Sequence, residues 1–245
     1  MSACRRPLEV VEVAPRMDSA LVSRPDGCGH RMIAIARLWL ASCTPALDPI
    51  WVEQQLSLFS ASERARLARI NRSQRRAQFV AGHVLARQLL HFALGHAVTV
   101  EVAGDGRPLL IAAEPWTLSL SHSGLWVTAL LAEGTAGVDI ELDRPLRDAA
   151  ALRAWLAERN GDPTHAPAAD HATLREWTLA EARLKAGVFA PAFSARWDLV
   201  GEDTSSRATL WLAIAGVAKQ PICYIADLAA RSYYDCSLAW NRVAD

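Results

Sequence analysis

The protein has 245 residues, of which 51% are hydrophobic and 21% charged, so the sequence predicts a soluble globular chain with one large domain or two small ones. Its 26 basic residues equal its 26 acidic residues, and this balance excludes a global electrostatic attraction to nucleic acid or to a membrane. Five scattered cysteines without a CxxC pair predict reduced thiols in the cytoplasm, and no stretch approaches the roughly 20 apolar residues of a transmembrane helix.

The first elements along the chain are a tail, a strand and two helices. Residues 1–31 carry scattered proline and glycine and predict a disordered tail. Strand-like apolar order begins in residues 33–40, IAIARLWL. Ser60 followed by Glu63 is typical of a helix N-terminus, and the arginine-rich helical pattern after it predicts two helices with a break near residues 71–73.

The middle of the chain is predicted to be mostly strands. Residues 98–102 predict a strand, GDG at residues 104–106 a turn, and residues 107–110 the next extended segment, so a β-hairpin is expected. Short apolar runs at residues 117–120 and 125–131 predict two further strands.

The second half is predicted to repeat the order of helices followed by strands, although no repeated sequence can be aligned. Helices are expected over residues 149–159 and 174–186, and Gly187 ends the second of them. Short strand-like runs follow at residues 197–200, 208–214, 222–225 and 236–240.

The first candidate for metal chemistry is the sequence GVDIE at residues 137–141. Side chains alternate between the faces of a strand, so Asp139 and Glu141 share one face, about 7 Å apart at roughly 3.3 Å per residue. Val138 and Ile140 share the other face. Two neighbouring carboxylates can bind one Mg²⁺, which prefers oxygen ligands together with substrate phosphates. The alternative is a solvated strand face, which the DxE pattern by itself favours.

The second candidate is the carboxylate of Glu181, in the second predicted helix of this half. Spacings of three and four residues put Glu181 on one stripe with three large apolar side chains, which predicts that it faces inward. Those side chains are Leu174, Trp177 and Leu184. A buried carboxylate needs a partner, either a cation or Lys185 one turn on. The alternative is a surface ion pair between Glu181 and Lys185, worth about 0.3–0.5 kcal/mol.

Candidate phosphate-binding residues precede these carboxylates. In SHSG at residues 121–124, small residues let backbone N–H groups approach an anion, and His122 can donate to a phosphate. GRP at residues 106–108 and an arginine-rich helix offer guanidinium groups for the same purpose. The arginines of that helical region are Arg64, Arg66, Arg69, Arg72, Arg75 and Arg76. Alone, SHSG favours a plain Ser/Gly turn with an exposed histidine. The arginines could equally form a solvated helix face and GRP a plain turn, so both are phosphate-binding candidates only together with the other segments.

Taken together, four of these segments resemble the 4′-phosphopantetheinyl transferase superfamily, in its surfactin-synthetase-activating type. The family pattern is G-[KR]-P, S-H-[SQ], G-[IV]-D-[IV]-E and W-[ST]-x-K-E-[AS]-x-x-K, in that order. The sequence has GRP at residues 106–108, SHS at 121–123, GVDIE at 137–141 and WTLAEARLK at 177–185. The resemblance extends over residues 32–245, with its sharp motifs between 106 and 187.

The resemblance implies an α+β fold made of a pseudo-twofold pair of similar subdomains, each a small antiparallel sheet packed on a long helix. The subdomains would comprise residues 32–131 and 132–245, with coenzyme A in the cleft between them and the metal site in the second. The chain length, near that of monomeric surfactin-type members, implies a monomer.

The resemblance also implies roles for individual residues. Asp139, Glu141 and Glu181 would bind Mg²⁺ on the coenzyme A pyrophosphate. Glu181 or a water would deprotonate the acceptor serine of an acyl or peptidyl carrier protein, and Lys185 would stabilise or protonate the leaving 3′,5′-ADP. Contacts to coenzyme A are expected from Ser121, from His122 near a phosphate, from Arg66 at the 3′-phosphate and from Arg107 at the adenine end.

Two departures from the family pattern leave an alternative function open. Ala180 stands where the family has a lysine, and the loop after Lys185 is short and lacks the expected GxG. The alternative is a non-catalytic protein that binds coenzyme A or a carrier protein. A third candidate, another Mg²⁺-dependent phosphate enzyme, gains no support, because the sequence has no P-loop, no GxGxxG after a strand and no HExxH.

Overall fold

The computed structural model of the chain describes residues 36–160, 169–187, 192–200, 207–217, 219–236 and 240–243. The expected tail, residues 1–31, lies outside these ranges and stays a prediction. The described helices are α1 (Pro49–Leu56), α2 (Ala61–Ala68), α3 (Ser73–Leu94), α4 (Ala149–Asn160) and α5 (Asp170–Ala186), with a 3₁₀ helix at Thr44–Leu47. The described strands are β1 (Arg37–Ser42), β2 (Val100–Val102), β3 (Pro108–Leu110), β4 (Trp116–Ser123), β5 (Trp126–Glu133), β6 (Gly137–Leu142), β7 (Ala192–Val200), β8 (Arg207–Ala215), β9 (Ile222–Asp227), β10 (Ser232–Cys236) and β11 (Trp240–Val243). None of the described helices is long and apolar enough to cross a membrane.

The strands form two main sheets and the predicted β2–β3 hairpin. The first sheet has the strand order β10-β9-β1-β5-β4, and the second has the order β11-β7-β8-β6. The second sheet is antiparallel, as predicted, but β1 in the first sheet runs parallel to β9. The expectation of two purely antiparallel sheets is therefore wrong for the first sheet. Parallel neighbours need a long crossover connection, and most of the chain lies between these two strands.

The mixed α and β character of the predicted fold is confirmed. The proposed pseudo-twofold relation and the division near residue 132 stay predictions. The strands β9 and β10, which follow residue 220 in the chain, complete the sheet that β1, β4 and β5 begin.

Side chains alternate between the two faces of each strand, and both faces of each main sheet are covered. In β1, Trp39 and Ala41 pack with α3, whereas Leu38 and Leu40 pack against the second sheet. The far face of the second sheet is covered by α5. The layers are therefore α3, the first sheet, the second sheet and α5, with a hydrophobic core at each junction.

The helix boundaries follow capping residues in the sequence. Ser60 caps α2: its Oγ accepts the N–H of Glu63 at 3.3 Å, and the Glu63 carboxylate accepts the N–H of Ser60 at 2.6 Å. The predicted break between α2 and α3 is confirmed at residues 69–72. At the end of α5, Gly187 has the expected left-handed conformation, with φ of 71°.

Two helices differ from the sequence-based expectation, and one predicted strand is only partly described. Helix α5 begins at Asp170 rather than at residue 174. The predicted start is too late because the first turn of the helix is polar and shows no apolar periodicity. Of the strand predicted over residues 236–240, the structure describes only Cys236, the last residue of β10, and Trp240, the first of β11; residues 237–239 lie outside the described ranges. Helix α1 was not predicted, although Pro49 directly after an Asp48 N-cap is a recognised helix start.

Candidate functional site

The candidate site lies where the two main sheets meet along their edge strands, β4 and β6. We call this junction the seam. The predicted alternation in β6 is confirmed: Val138 and Ile140 are fully buried in the core between the sheets. Asp139 and Glu141 point to the other face, on the side that α5 covers.

Helix α5 crosses the start of β6 at very close range. A Cβ atom at Gly137 would lie 2.1 Å from the carbonyl oxygen of Ala182 and 2.6 Å from the amide nitrogen of Ala186. Any side chain at this position would therefore displace a backbone, so the glycine of the GVDIE sequence has a packing role. The close approach brings Lys185 of α5 within reach of the β6 edge.

Asp139 is held by two donors through one of its oxygens. Its Oδ1 accepts hydrogen bonds from Lys185 Nζ and from Ser121 Oγ, each at 2.6 Å. Its Oδ2 is buried, and no described residue hydrogen-bonds to it. Burial raises the pKa of Asp139, against the lowering effect of Lys185 and Ser121. Among the described contacts, Lys185 forms its ion pair with Asp139, so the surface pair with Glu181 that the sequence allowed is not the one formed.

Glu141 is also hydrogen-bonded in the seam. Ser123 Oγ donates to its Oε2 at 2.8 Å, and Arg144 lies 3.9 Å from the same oxygen. Burial, followed by the charge of Asp139, raises the pKa of Glu141, while Ser123, Arg144 and the side chain of Trp177 lower it. The Glu141 carboxylate is therefore fixed by neighbours but costly to ionise.

Glu181 lies one turn before Lys185 and is only half-buried. The buried face of α5 consists of Thr173, Leu174, Thr178, Leu179, Ala182 and Ala186. Leu184, expected on an inward stripe with Glu181, is 42% exposed, so the predicted stripe is wrong in this part of the helix. Burial and the charge of Asp139 raise the pKa of Glu181, and Lys185 and Arg159 oppose this rise.

The three carboxylates have the right chemistry for Mg²⁺ but are not assembled in advance. In the part of the chain that the structure describes, no three acidic, histidine or cysteine side chains lie close enough together to hold a metal ion. Asp139 nevertheless contributes to the pKa of both Glu141 and Glu181, so all three share one electrostatic environment. The unpartnered Asp139 Oδ2 fits a cation ligand, because a buried carboxylate oxygen without a donor is costly.

A cleft with a volume of about 420 Å³ opens beside the seam. The residues predicted to bind coenzyme A line this cleft together with Lys185; they are Arg66, Arg107, Ser121 and His122. Asp139, Glu141 and Glu181 are not part of its lining. Asp139 is connected to the cleft through Ser121 and Lys185, which touch both.

Two guanidinium groups lie close together at one end of the cleft. Burial and the charge of Arg66 lower the pKa of Arg75. Neither arginine has a carboxylate within ion-pair distance among the described residues. Two adjacent cations without a counter-charge are typical of an anion-binding site.

His122 lies in the same positive environment and is neutral. Burial lowers its pKa to about 3, and the charges of Arg75 and Lys185 add to this effect. At pH 7 the imidazole therefore carries no charge, and one ring N–H remains to donate to an anion.

The GRP turn borders the arginine end of the cleft. Gly106 has a φ of 93°, which favours glycine, and the Nη2 atom of Arg66 lies 3.5 Å from the position that a Cβ atom would occupy there. Arg107 pairs with Asp105 at 3.0 Å, and both side chains are exposed. This turn thus lies beside Arg66, while the Arg107 guanidinium is engaged with its neighbour.

Comparison with known proteins supports the resemblance inferred from the motifs. No protein-family model matches the chain. The 4′-phosphopantetheinyl transferase psf-1 of Bacillus pumilus is 31% identical over 109 residues, which is 42% of this chain. The chain resembles the 4′-phosphopantetheinyl transferase superfamily. It spans about half, 47%, of the length of this curated relative.

A solved structure also matches part of the chain. It is a holo-(acyl-carrier-protein) synthase from Bacillus anthracis in complex with CoA (3′,5′-ADP). The match covers 41% of this chain and 96% of that protein, at 20% identity and a TM-score of 0.31. A TM-score of this size is too low to establish a shared fold.

The structure adds residues to the site that the phosphopantetheinyl transferase motifs do not contain. Arg75 lines the cleft, and Ser119 Oγ accepts a hydrogen bond from the backbone N–H of Val138 in β6. Arg75 lay inside the arginine run without a signal to single it out. The serine alternation that ends at Ser123 was visible in the sequence, but which strand the hydroxyls face depends on tertiary structure.

Proposed function

We propose that this protein transfers the 4′-phosphopantetheine group of coenzyme A to a serine hydroxyl of an acyl or peptidyl carrier protein. The reaction depends on Mg²⁺ and releases 3′,5′-ADP. The observation that carries the proposal is one cleft with several cationic or N–H donor groups beside a buried acid. These groups are Arg66, Arg75, His122 and Lys185, and the acid is Asp139. We also propose that the protein is a monomer and that it acts in the cytoplasm.

The cleft suits a ligand with phosphates at two separate places. Arg66 and Arg75 would bind the 3′-phosphate, since their charges are unpaired among the described residues. Arg107 would border the adenine. The pyrophosphate would then lie toward His122 and Lys185, where a neutral imidazole donates a hydrogen bond and an ammonium supplies charge.

Asp139, Glu141 and Glu181 would hold the Mg²⁺. Burial raises the pKa of each of these carboxylates, which means that Lys185 does not fully stabilise their ionised forms. A bound cation would stabilise them further. When bound, Mg²⁺ would neutralise charge on the pyrophosphate oxygens. Since the three carboxylates are not assembled in advance, the half-buried side chain of Glu181 would have to approach Asp139 and Glu141 to complete the set of ligands.

The residues of this chain would accept the proton of the acceptor serine and orient the serine for substitution at a phosphorus of coenzyme A. Glu181 would accept the proton of the acceptor serine, directly or through a water. The serine Oγ forms a bond to the phosphorus nearest the pantetheine, and the bond from that phosphorus to the bridging oxygen breaks. 3′,5′-ADP leaves with the electron pair. Lys185 Nζ would donate to the leaving phosphate, exchanging its contact with Asp139 for the new charge.

Mass spectrometry of a carrier protein tests this function. The apo carrier protein is incubated with coenzyme A, Mg²⁺ and the protein, and a mass gain of one phosphopantetheine is expected. Chelation by EDTA and the variant Glu181→Gln should each prevent the gain, while the exposed control Glu53→Gln should load carrier like the wild type. Binding of coenzyme A or carrier without any mass gain would refute transfer and favour the non-catalytic alternative, which Ala180 suggests.

A further inference from the structure

Strand β4 presents serines at the alternate positions 119, 121 and 123 to the edge of β6. The three hydroxyl oxygens each accept a backbone N–H from β6, at an interval of 19 residues along the chain. The bonds run from Val138 N to Ser119 Oγ at 3.1 Å, from Ile140 N to Ser121 Oγ at 3.3 Å and from Leu142 N to Ser123 Oγ at 2.9 Å. We call this set of bonds the serine ladder.

The ladder replaces ordinary strand pairing at the seam. Strands β4 and β6 are edge strands of different sheets and share no backbone register. The N–H groups on the outer edge of β6 would otherwise lack partners in a buried place. Because both strands alternate with period two, serines two residues apart meet amides two residues apart.

Two of the three serine hydroxyls in the ladder also donate a hydrogen bond to a carboxylate of β6. Ser121 Oγ donates to Asp139 Oδ1 at 2.6 Å, and Ser123 Oγ donates to Glu141 Oε2 at 2.8 Å. The third rung differs, because the residue at the corresponding place beside Ser119 is Gly137, which has no side chain. Two rungs therefore end on a carboxylate and one does not.

We propose that the serine ladder positions the carboxylates of Asp139 and Glu141, fixing one oxygen of each so that the other oxygen is presented to a cation. The proposal rests on the proposed function and deepens it by naming Ser121 and Ser123 as positioning residues. Each of these hydroxyls uses its single proton on a carboxylate and accepts a backbone N–H. Ser121 would therefore contact coenzyme A through its backbone rather than as a hydroxyl donor.

The backbone half of the ladder is tested by amide hydrogen exchange, which does not depend on any activity. Ser119→Ala, Ser121→Ala and Ser123→Ala should each accelerate exchange of one amide most, by about 10-fold for the loss of one hydrogen bond. The amides are those of Val138, Ile140 and Leu142, in the same order. Unchanged exchange at the matched amide would overturn the ladder.

The carboxylate half is tested by binding of Mn²⁺, a hard cation visible by electron paramagnetic resonance. The cation is titrated into the protein with coenzyme A present and carrier protein absent. Ser121→Ala and Ser123→Ala should weaken Mn²⁺ binding by about 10-fold or more, the usual effect of removing a residue that orients a metal ligand. Ser119→Ala is the matched comparison, since it loses a rung without a carboxylate, and it should weaken Mn²⁺ binding less than Ser121→Ala and Ser123→Ala do.

The possible outcomes separate the positioning role from general loosening of the seam. Equal weakening by Ser119→Ala and Ser123→Ala, or no weakening by Ser123→Ala, would overturn the positioning role. Ser123→Thr keeps a hydroxyl and should restore both slow exchange at Leu142 and tight Mn²⁺ binding. If the wild type binds no Mn²⁺ with coenzyme A, the proposed function fails together with the positioning role, whereas the exchange rates still decide whether the ladder exists.

Discussion

Replacing Lys185 by methionine should destabilise the folded protein, independently of any effect on catalysis. The Nζ atom donates to Asp139 Oδ1 at 2.6 Å and to the carbonyl oxygen of Val138 at 3.1 Å. The side chain of Asp139 is only 7% exposed and that of Lys185 is 29% exposed. Removing one partner of a buried ion pair costs about 3–5 kcal/mol, and the partial exposure of the lysine puts the expected loss at roughly 3 kcal/mol.

A double-mutant cycle measures how much of this loss belongs to the ion pair. Asp139→Asn removes the negative charge, so the ammonium is no longer needed to balance it. In that background Lys185→Met should cost only about 1 kcal/mol, which leaves a coupling energy of about 2 kcal/mol. The free energies of unfolding come from urea denaturation at pH 7.5 with EDTA, so that no metal contributes.

The pH dependence of the single variant provides a second check. Without Lys185, the effect of burial on Asp139 is opposed by the hydrogen bonds from Ser121 and the backbone of Ile140 but no longer by the ammonium, so the pKa of this carboxyl in the folded state rises further. A carboxyl whose folded pKa is raised binds more protons when folded, so the penalty should shrink as the pH falls, by at most about 1.4 kcal/mol per pH unit. Additive losses in the cycle, or a loss below about 1 kcal/mol, would refute the buried pair. A fall in kcat with such a small loss would instead support a purely catalytic lysine.

Local periodicity was sufficient to predict which way the β6 side chains point. Asp139 and Ile140 are neighbours in sequence with opposite surroundings, and period-two alternation assigns them to opposite faces before any packing is known. The same holds for Ser60 and Glu63, whose capping box involves residues three positions apart. In these cases the determining contacts are close in sequence.

Contacts between distant segments could not be predicted in this way. The Lys185–Asp139 pair joins a helix to a strand 46 residues away, and the apolar stripe on α5 suggested a different inward face. That expectation failed because α5 approaches the backbone of Gly137, where small side chains such as Ala182 fit and large ones do not. Size complementarity at a close approach depends on both partners, so hydrophobicity along one of them does not reveal it.

Gly137→Ala should lower the free energy of unfolding by about 2 kcal/mol, since its Cβ would meet the Ala182 backbone, whereas Gly82→Ala meets nothing within 4 Å and should stabilise α3 by up to about 1 kcal/mol in the same denaturation assay. Glu181→Ala should abolish carrier loading while the melting temperature is preserved. Near wild-type turnover in this variant would refute the proposed role of Glu181 as a metal ligand and base. Burial raises the pKa of Glu63, but hydrogen bonds from its histidine and arginine partners outweigh this and hold the pKa at about 2 instead of 4.5. A depressed folded pKa adds stability above pH 4.5 that is lost as the pH falls toward 2, roughly 3 kcal/mol in all. Between pH 5 and pH 2 the wild type should therefore lose about that much more stability than Glu63→Gln, and parallel stability curves for the two proteins would contradict the buried cluster.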